Sequence, residues 1–284
     1  ALNLAGTNVS MTGLIKDLGR PQMNVDGWRI TLDSKNLPTL LDKMNLACTV
    51  PLVQQAKGAT AQLNLKGGQD NLWQLDGQFA LNDLSAKFSG TLNTVDTEPA
   101  VQAMRVDLAY PKFRTLATLI NPEYKALPNL DGTFKLKGVI TGTRENWEIK
   151  DMALNIGLQQ LSGVVSFHDG QVKTLTATVS APALNLDRIL PTDNNWYSPI
   201  NGLSTNPVAF KNLDNQIWDI HLKARQLFYR DMALQNVDMA LALQNKELAL
   251  TQLVANAGSG EDAPIRITGK ADWNTPEPAL TTSF

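Results

Sequence analysis

Two histidines, one cysteine and a few neighbouring carboxylates are the residues of this chain equipped for catalysis or metal binding, and their spacing argues against both. Neither His168 nor His221 has a Cys, His or carboxylate at ligand spacing matched by a second such cluster, so no metal site is expected. His168 precedes the turn signal Asp169-Gly170, and His221 lies between Ile220 and Leu222 in an alternating run, which puts both imidazoles on the solvent side. Glu261 with Asp262, and Asp70 with Asp76, read as solvated turn carboxylates rather than an acid and a base. No Gly-x-Ser-x-Gly, phosphate-binding glycine loop or dinucleotide fingerprint occurs. The expectation is a protein without a catalytic site and without a cofactor.

The elements that would position a site are strands. Of the 284 residues, 43% are hydrophobic and only 18% charged, against about 25% charged in an average soluble domain. Thr, Asn, Gln and Leu fill the difference, which suits strands with one wet and one dry face. A formal charge of -2, with no cationic cluster, makes nucleic acid an unlikely partner on electrostatic grounds. Cys48 is the only cysteine, so no intrachain disulfide forms, and it reads as a small buried hydrophobe. No apolar run reaches the roughly 18 residues of a membrane-spanning helix. The opening Ala1-Leu2-Asn3-Leu4 reads as the interior of a strand, the expectation for a piece of a longer protein.

Alternation with period two dominates. It runs from Trp73 to Leu81, Met104 to Tyr110, Met152 to Leu158, Trp218 to Ala224 and Val237 to Leu243. The cluster Lys66 to Asn71 and the pairs Asp131-Gly132 and Asp169-Gly170 signal tight hairpins between antiparallel neighbours. Helical spacing is brief, at Pro38 to Met44, Phe113 to Ile120 and Leu186 to Leu190. A loop-rich stretch from Pro191 to Pro207 is the expected boundary between residues 1–190 and a C-terminal region, 191–284.

The chain repeats itself over nearly its whole length. Trp73, Trp147 and Trp218 each open an alternating strand, as packing anchors, and Phe88-Ser89-Gly90 recurs as Leu161-Ser162-Gly163. The spacing of Ile267-Thr268-Gly269 to Pro278-Ala279 matches that of Phe88-Ser89-Gly90 to Pro99-Ala100. A partial unit over 1–57 and units of about 58–130 and 131–190 follow, each too small to bury its own apolar face without a neighbour.

Several of these stretches resemble the AsmA-like proteins of Gram-negative envelopes. They are Gly138 through Ile149, then Leu154-Asn155-Ile156-Gly157, Leu161-Ser162-Gly163 and Leu184 through Pro191. Near the C-terminus Leu222 through Leu227, Leu248 through Gly258 and Ile267-Thr268-Gly269 are similar to the same family. The chain departs from the family pattern at Gly258 to Asp262. The resemblance implies a periplasmic body formed by a curled β-sheet, an inner-membrane anchor outside this chain, and a part in lipid traffic or outer-membrane assembly. It also implies phospholipid or another acyl lipid, and envelope proteins, as partners.

The expected architecture is mainly β: tandem antiparallel strand repeats forming a curled, elongated sheet with an apolar groove and a few short helices. In register, one dry stripe would comprise Leu75, Phe79, Leu81, Val106, Leu108, Leu136, Ile149, Leu154, Ile156, Leu158, Phe167, Leu175 and Val179. Some fifteen strands spaced about 4.8 Å apart would carry it for roughly 70 Å. A bulge is expected to reset the alternation between Ile149 and Met152, so spacing leaves open which of the two adjacent faces is dry there. The same residues would equally serve a closed sandwich whose dry faces pack together. An exposed strand edge would alternatively cradle an outer-membrane polypeptide by strand addition.

Overall fold

A computed structural model of the chain describes residues 2–4, 6–16, 24–43, 51–67, 71–95, 98–120, 132–188, 215–229, 232–257, 264–272 and 279–283. The protein is mainly β. Among the described residues sixteen strands are hydrogen-bonded in chain order without closing. They fall into two compact units.

The first unit holds β1 (Leu2–Leu4), β2 (Thr7–Lys16), β3 (Asn24–Ser34), β4 (Ala59–Gly67), β5 (Leu72–Leu81), β6 (Leu84–Asn93), β7 (Ala100–Tyr110) and β8 (Phe134–Gly142). All its registered neighbours are antiparallel. Three short helices interrupt them: α1 (Leu37–Lys43), α2 (Pro51–Gln54) and α3 (Phe113–Ile120). Two of these match the expected helices; α2 carried no helical spacing of its own. Leu37, Val53 and Leu119 from the three helices pack on the cluster of Ala56, Ala59 and Leu81. Phe113 of α3 stacks on Phe134 at 6.2 Å between ring centres. Asp131 of the expected Asp131-Gly132 turn lies outside the described residues; the β7–β8 connection carries α3, and Gly132 accepts a hydrogen bond from the Phe113 amide at 2.8 Å.

The next strand, β9 (Asn146–Ile156), contributes Leu154–Ile156 to the first unit and its earlier residues to the second. The second unit continues with β10 (Gln159–Asp169), β11 (Lys173–Asn185), β12 (Gln216–Tyr229), β13 (Met232–Gln244), β14 (Glu247–Ala257), β15 (Ile265–Asp272) and β16 (Ala279–Ser283). A 3-10 turn at Leu186–Arg188 stands where the third helix was expected. Asn245 and Lys246, both at positive φ, form the two-residue turn between Gln244 and Glu247, the conformation that matches strand twist.

Two expectations shift here. The stretch 191–207 lies outside the described residues, but β11 and β12 on either side of it pair in parallel from Lys173↔Gln216 to Asn185↔Phe228. A parallel neighbour requires a long crossover, so this segment connects strands inside one unit instead of separating two domains. The division falls within β9.

The backbone turns left-handed where the bulge was expected between Ile149 and Met152, and this feature has counterparts. Asp151 is left-handed (φ 49°), as are Gly27 (66°), Ala103 (48°) and Asn236 (52°). Each immediately precedes an apolar residue whose apolar predecessor lies three positions back: Val25 and Trp28, Val101 and Met104, Ile149 and Met152, Leu234 and Val237. Register shifts occur at Val25/Trp28, Val101/Met104 and Gln235/Asp238. One extra residue turns odd spacing into same-face spacing, so the dry face survives the change of phase.

Candidate functional site

The first unit carries its apolar residues in straight cross-strand rows. Val9, Leu32, Ala61, Phe79, Ala86, Leu108 and Leu136 lie directly opposite one another from β2 to β8. A parallel row of Met11, Ile30, Leu63, Gly77, Phe88, Val106 and Gly138 adjoins it. Leu65 and Leu75 continue the face beside Trp28. One residue over, the pleat presents the opposite character: Ser10, Thr31, Gln62, Gln78, Lys87, Asp107 and Lys137 form an unbroken polar row. Lys137 pairs with Asp107 at 2.9 Å, and Ser10 and Thr31 hydroxyls meet at 2.6 Å.

The apolar rows are not sealed. Of their fourteen residues only Ala86 is buried; Met11 is 54% and Phe79 36% exposed, and the others except Ala86 are half-buried. A closed sandwich would bury these positions. Burial instead concentrates at one end of the face, where Thr7, Ser34, Ala59 and Leu81 form a fully covered row beside the helix-packed cluster. Thr7 and Ser34 satisfy each other there through a 2.7 Å hydroxyl contact. Tyr110 is buried at the same level of the sheet as Phe134. Burial raises its phenol above the ordinary value, and the nearby Asp83 charge adds to the effect.

The residues expected in the dry stripe divide between the units. Leu75, Phe79, Leu81, Val106, Leu108 and Leu136 share the face just described, although Leu81 lies in its covered row. Leu154 and Ile156 are half-buried in the first unit's part of β9. In the second unit Phe167, Leu175 and Val179 share one face, and Val179 stands opposite Leu222 of a buried cluster completed by Ala181, Leu184, Ala224, Leu227, Val237 and Ala255. Ile149 is half-buried on β9. Leu158 leaves the stripe: it follows Gly157 (φ 59°) in the turn between β9 and β10 and is 81% exposed. The period-two run ended two residues too late because a turn residue has no fixed face. Val9, Leu32, Leu63 and Phe88 are absent from the expected stripe, although the alternations Trp28-x-Ile30-x-Leu32 and Leu63-x-Leu65 signal Leu32 and Leu63.

The residues weighed for chemistry lie apart. His168 is exposed and contacts the Asn146 side-chain oxygen; His221 is exposed 3.2 Å from Asp219. Asp76 is exposed and accepts from Asn64 at 3.1 Å, whereas Asp70, Glu261, Asp262 and Cys48 lie outside the described residues. No cluster of three metal-ligating side chains exists among the described residues. No helix among them is long and apolar enough to cross a membrane. Trp147 packs on Phe167 at 5.6 Å, Trp73 donates to Thr94 at 3.2 Å and Trp218 to Gln216 at 3.1 Å. All three indoles are engaged within the protein.

Compared with protein-family models, curated proteins and solved structures, the chain matches none.

Proposed function

We propose that this chain is a non-enzymatic lipid-binding protein whose first unit shelters acyl chains on its open apolar face. The observation that carries the reading is the row from Val9 to Leu136: seven strands wide, wholly apolar, incompletely buried and backed by a wholly polar row. Six strand spacings of about 4.8 Å make it about 29 Å wide. A lipid tail spans about half of a 30 Å bilayer core, so the face is wide enough for one tail or two end to end. Removing each CH₂ from water contributes about 0.8 kcal/mol, which gives a long tail ample driving force without any polar contact.

Taken with the resemblance to AsmA-like proteins, the reading extends to phospholipid as the ligand, the periplasm as the location and outer-membrane biogenesis as the process. An inner-membrane tether outside this chain belongs to the same proposal. On this face phospholipid would be held through burial of its acyl chains and handed on unchanged.

Native mass spectrometry of the purified chain after incubation with phospholipid tests this directly. Lipid adducts are expected, and Met11→Asp with Phe79→Asp, at the two most exposed positions of the rows, should abolish them while circular dichroism stays unchanged. Adducts that survive both substitutions, or none in the parent chain, would defeat the proposal. Binding of unfolded outer-membrane polypeptide in place of lipid would favour strand addition at a sheet edge.

A further inference from the structure

The polar side of the second unit carries a concavity of about 500 Å³ that the apolar face does not explain. Its floor lies where three adjacent strands change phase together. On β11 Ala181 and Leu184 are both buried, on β12 Ala224 and Leu227, and on β13 Val237 is buried three positions after half-buried Leu234. The ladder skips Arg225 on both sides. Ala181↔Ala224 is followed by Ala183↔Gln226, and Ala224↔Val237 by Gln226↔Gln235. Beside the gap, Asn236 is left-handed at φ 52°. The register is kept across the gap, which leaves Pro182, Arg225 and Asn236 side by side as the unpaired residues of three adjacent strands.

Those side chains have a common chemistry. Lys223 and Arg225 are two residues apart on one strand, about 7 Å between their backbones, and both line the concavity. Lys223 approaches Asp238 at 3.8 Å, whereas the Arg225 side chain has no hydrogen-bond or ion-pair partner among the described residues. Ser162 and Ser180 face it from β10 and β11, their hydroxyls 2.9 Å apart. Asn236 adds an amide. The set has two cations against one carboxylate, a guanidinium fork that offers two parallel N–H donors, and hydroxyl and amide donors around it. That combination complements a tetrahedral oxyanion.

We propose that this concavity is a binding site for a phosphate group, carried either by a soluble phosphate ester or by a lipid headgroup. Arg225 grips two phosphate oxygens, Lys223 supplies the second positive charge, and Asp238 holds the lysine in place without cancelling the site.

Isothermal titration of the whole chain with glycerol phosphate, and separately with a short-chain phosphatidic acid dispersed as monomer, tests the assignment. Saturable millimolar or tighter binding is expected. Arg225→Ala should weaken it by at least about tenfold, the scale of one charge-assisted hydrogen bond, and Arg225→Lys should restore only part because the fork is lost. Preference for glycerol phosphate would identify a soluble ester, and preference for the phosphatidic acid a headgroup. Absence of binding by both, affinity unchanged in Arg225→Ala, or tighter binding of succinate than of either phosphate would overturn the proposal. Circular dichroism of each variant controls for folding. The Met11→Asp and Phe79→Asp variants should bind glycerol phosphate normally, so this site and the acyl-binding face stand or fall separately.

Discussion

Phe88 lies across Gly77 of the neighbouring strand: a β-carbon built on Gly77 would stand 2.5 Å from the tip of the ring and 2.9 Å from the backbone oxygen of Gln62. The glycine therefore lets an aromatic side chain lie along the sheet, which keeps the middle of the apolar face low. Gly77→Ala should destabilise the protein by about 1–3 kcal/mol through overpacking, read as a lowered urea midpoint. An unchanged midpoint would mean that the ring simply swings away.

Ala103 should respond in the reverse direction from an ordinary strand residue. It occupies the left-handed region at a bulge, where a β-carbon costs about 1–2 kcal/mol, while glycine's added flexibility costs about 0.5–1 kcal/mol. Ala103→Gly is thus expected to leave stability level or raise it by up to about 1.5 kcal/mol. Thermal melts showing a clear loss would place the strain elsewhere.

Leu243 is 1% exposed and stands opposite Trp218 on one side and Leu248 on the other. Truncation to alanine leaves a cavity that three central strands of the second unit cannot close. The cost should be about 2–5 kcal/mol in denaturant titrations. At Leu158, exposed in its turn, the same change should cost less than about 0.5 kcal/mol.

Tyr110 couples the helix-covered end of the first unit to alkaline pH. Its folded phenol keeps its proton to higher pH than the unfolded one, so above the unfolded value the native state binds more protons and stability falls as pH rises. The contribution is complete below about pH 10 and is lost as pH climbs through the raised native value. Tyr110→Phe should flatten that decline relative to the parent chain in urea titrations across the alkaline range. Parallel pH profiles would rule out Tyr110 as its source.

Much of this architecture was legible locally. Side chains of a strand alternate by geometry, so Leu75, Phe79, Val106, Leu108 and Leu136 could be assigned to one face from spacing alone. The break between Ile149 and Met152 could be read as a bulge for the same reason. The helices over 37–43 and 113–120 were visible as short departures from period two. Leu158 was misassigned because alternation does not announce where a strand gives way to a turn.

The residue sequence by itself determined the strand-rich character of the chain and which residues within one regular strand share a face, because that depends only on the pleat and on neighbours two positions away. Tertiary structure decided what lies opposite what. The parallel pairing of β11 with β12 joins residues separated by a long connection, and no local pattern distinguishes a parallel from an antiparallel partner. The burial of Thr7 and Ser34 under an apolar end, the openness of the rows from Val9 to Leu136, and the meeting of Lys223, Arg225 and two serines around one break in the ladder likewise depend on register between strands. Register is set by the sum of many weak cross-strand contacts and bulges, a property of the assembled sheet that no single strand contains.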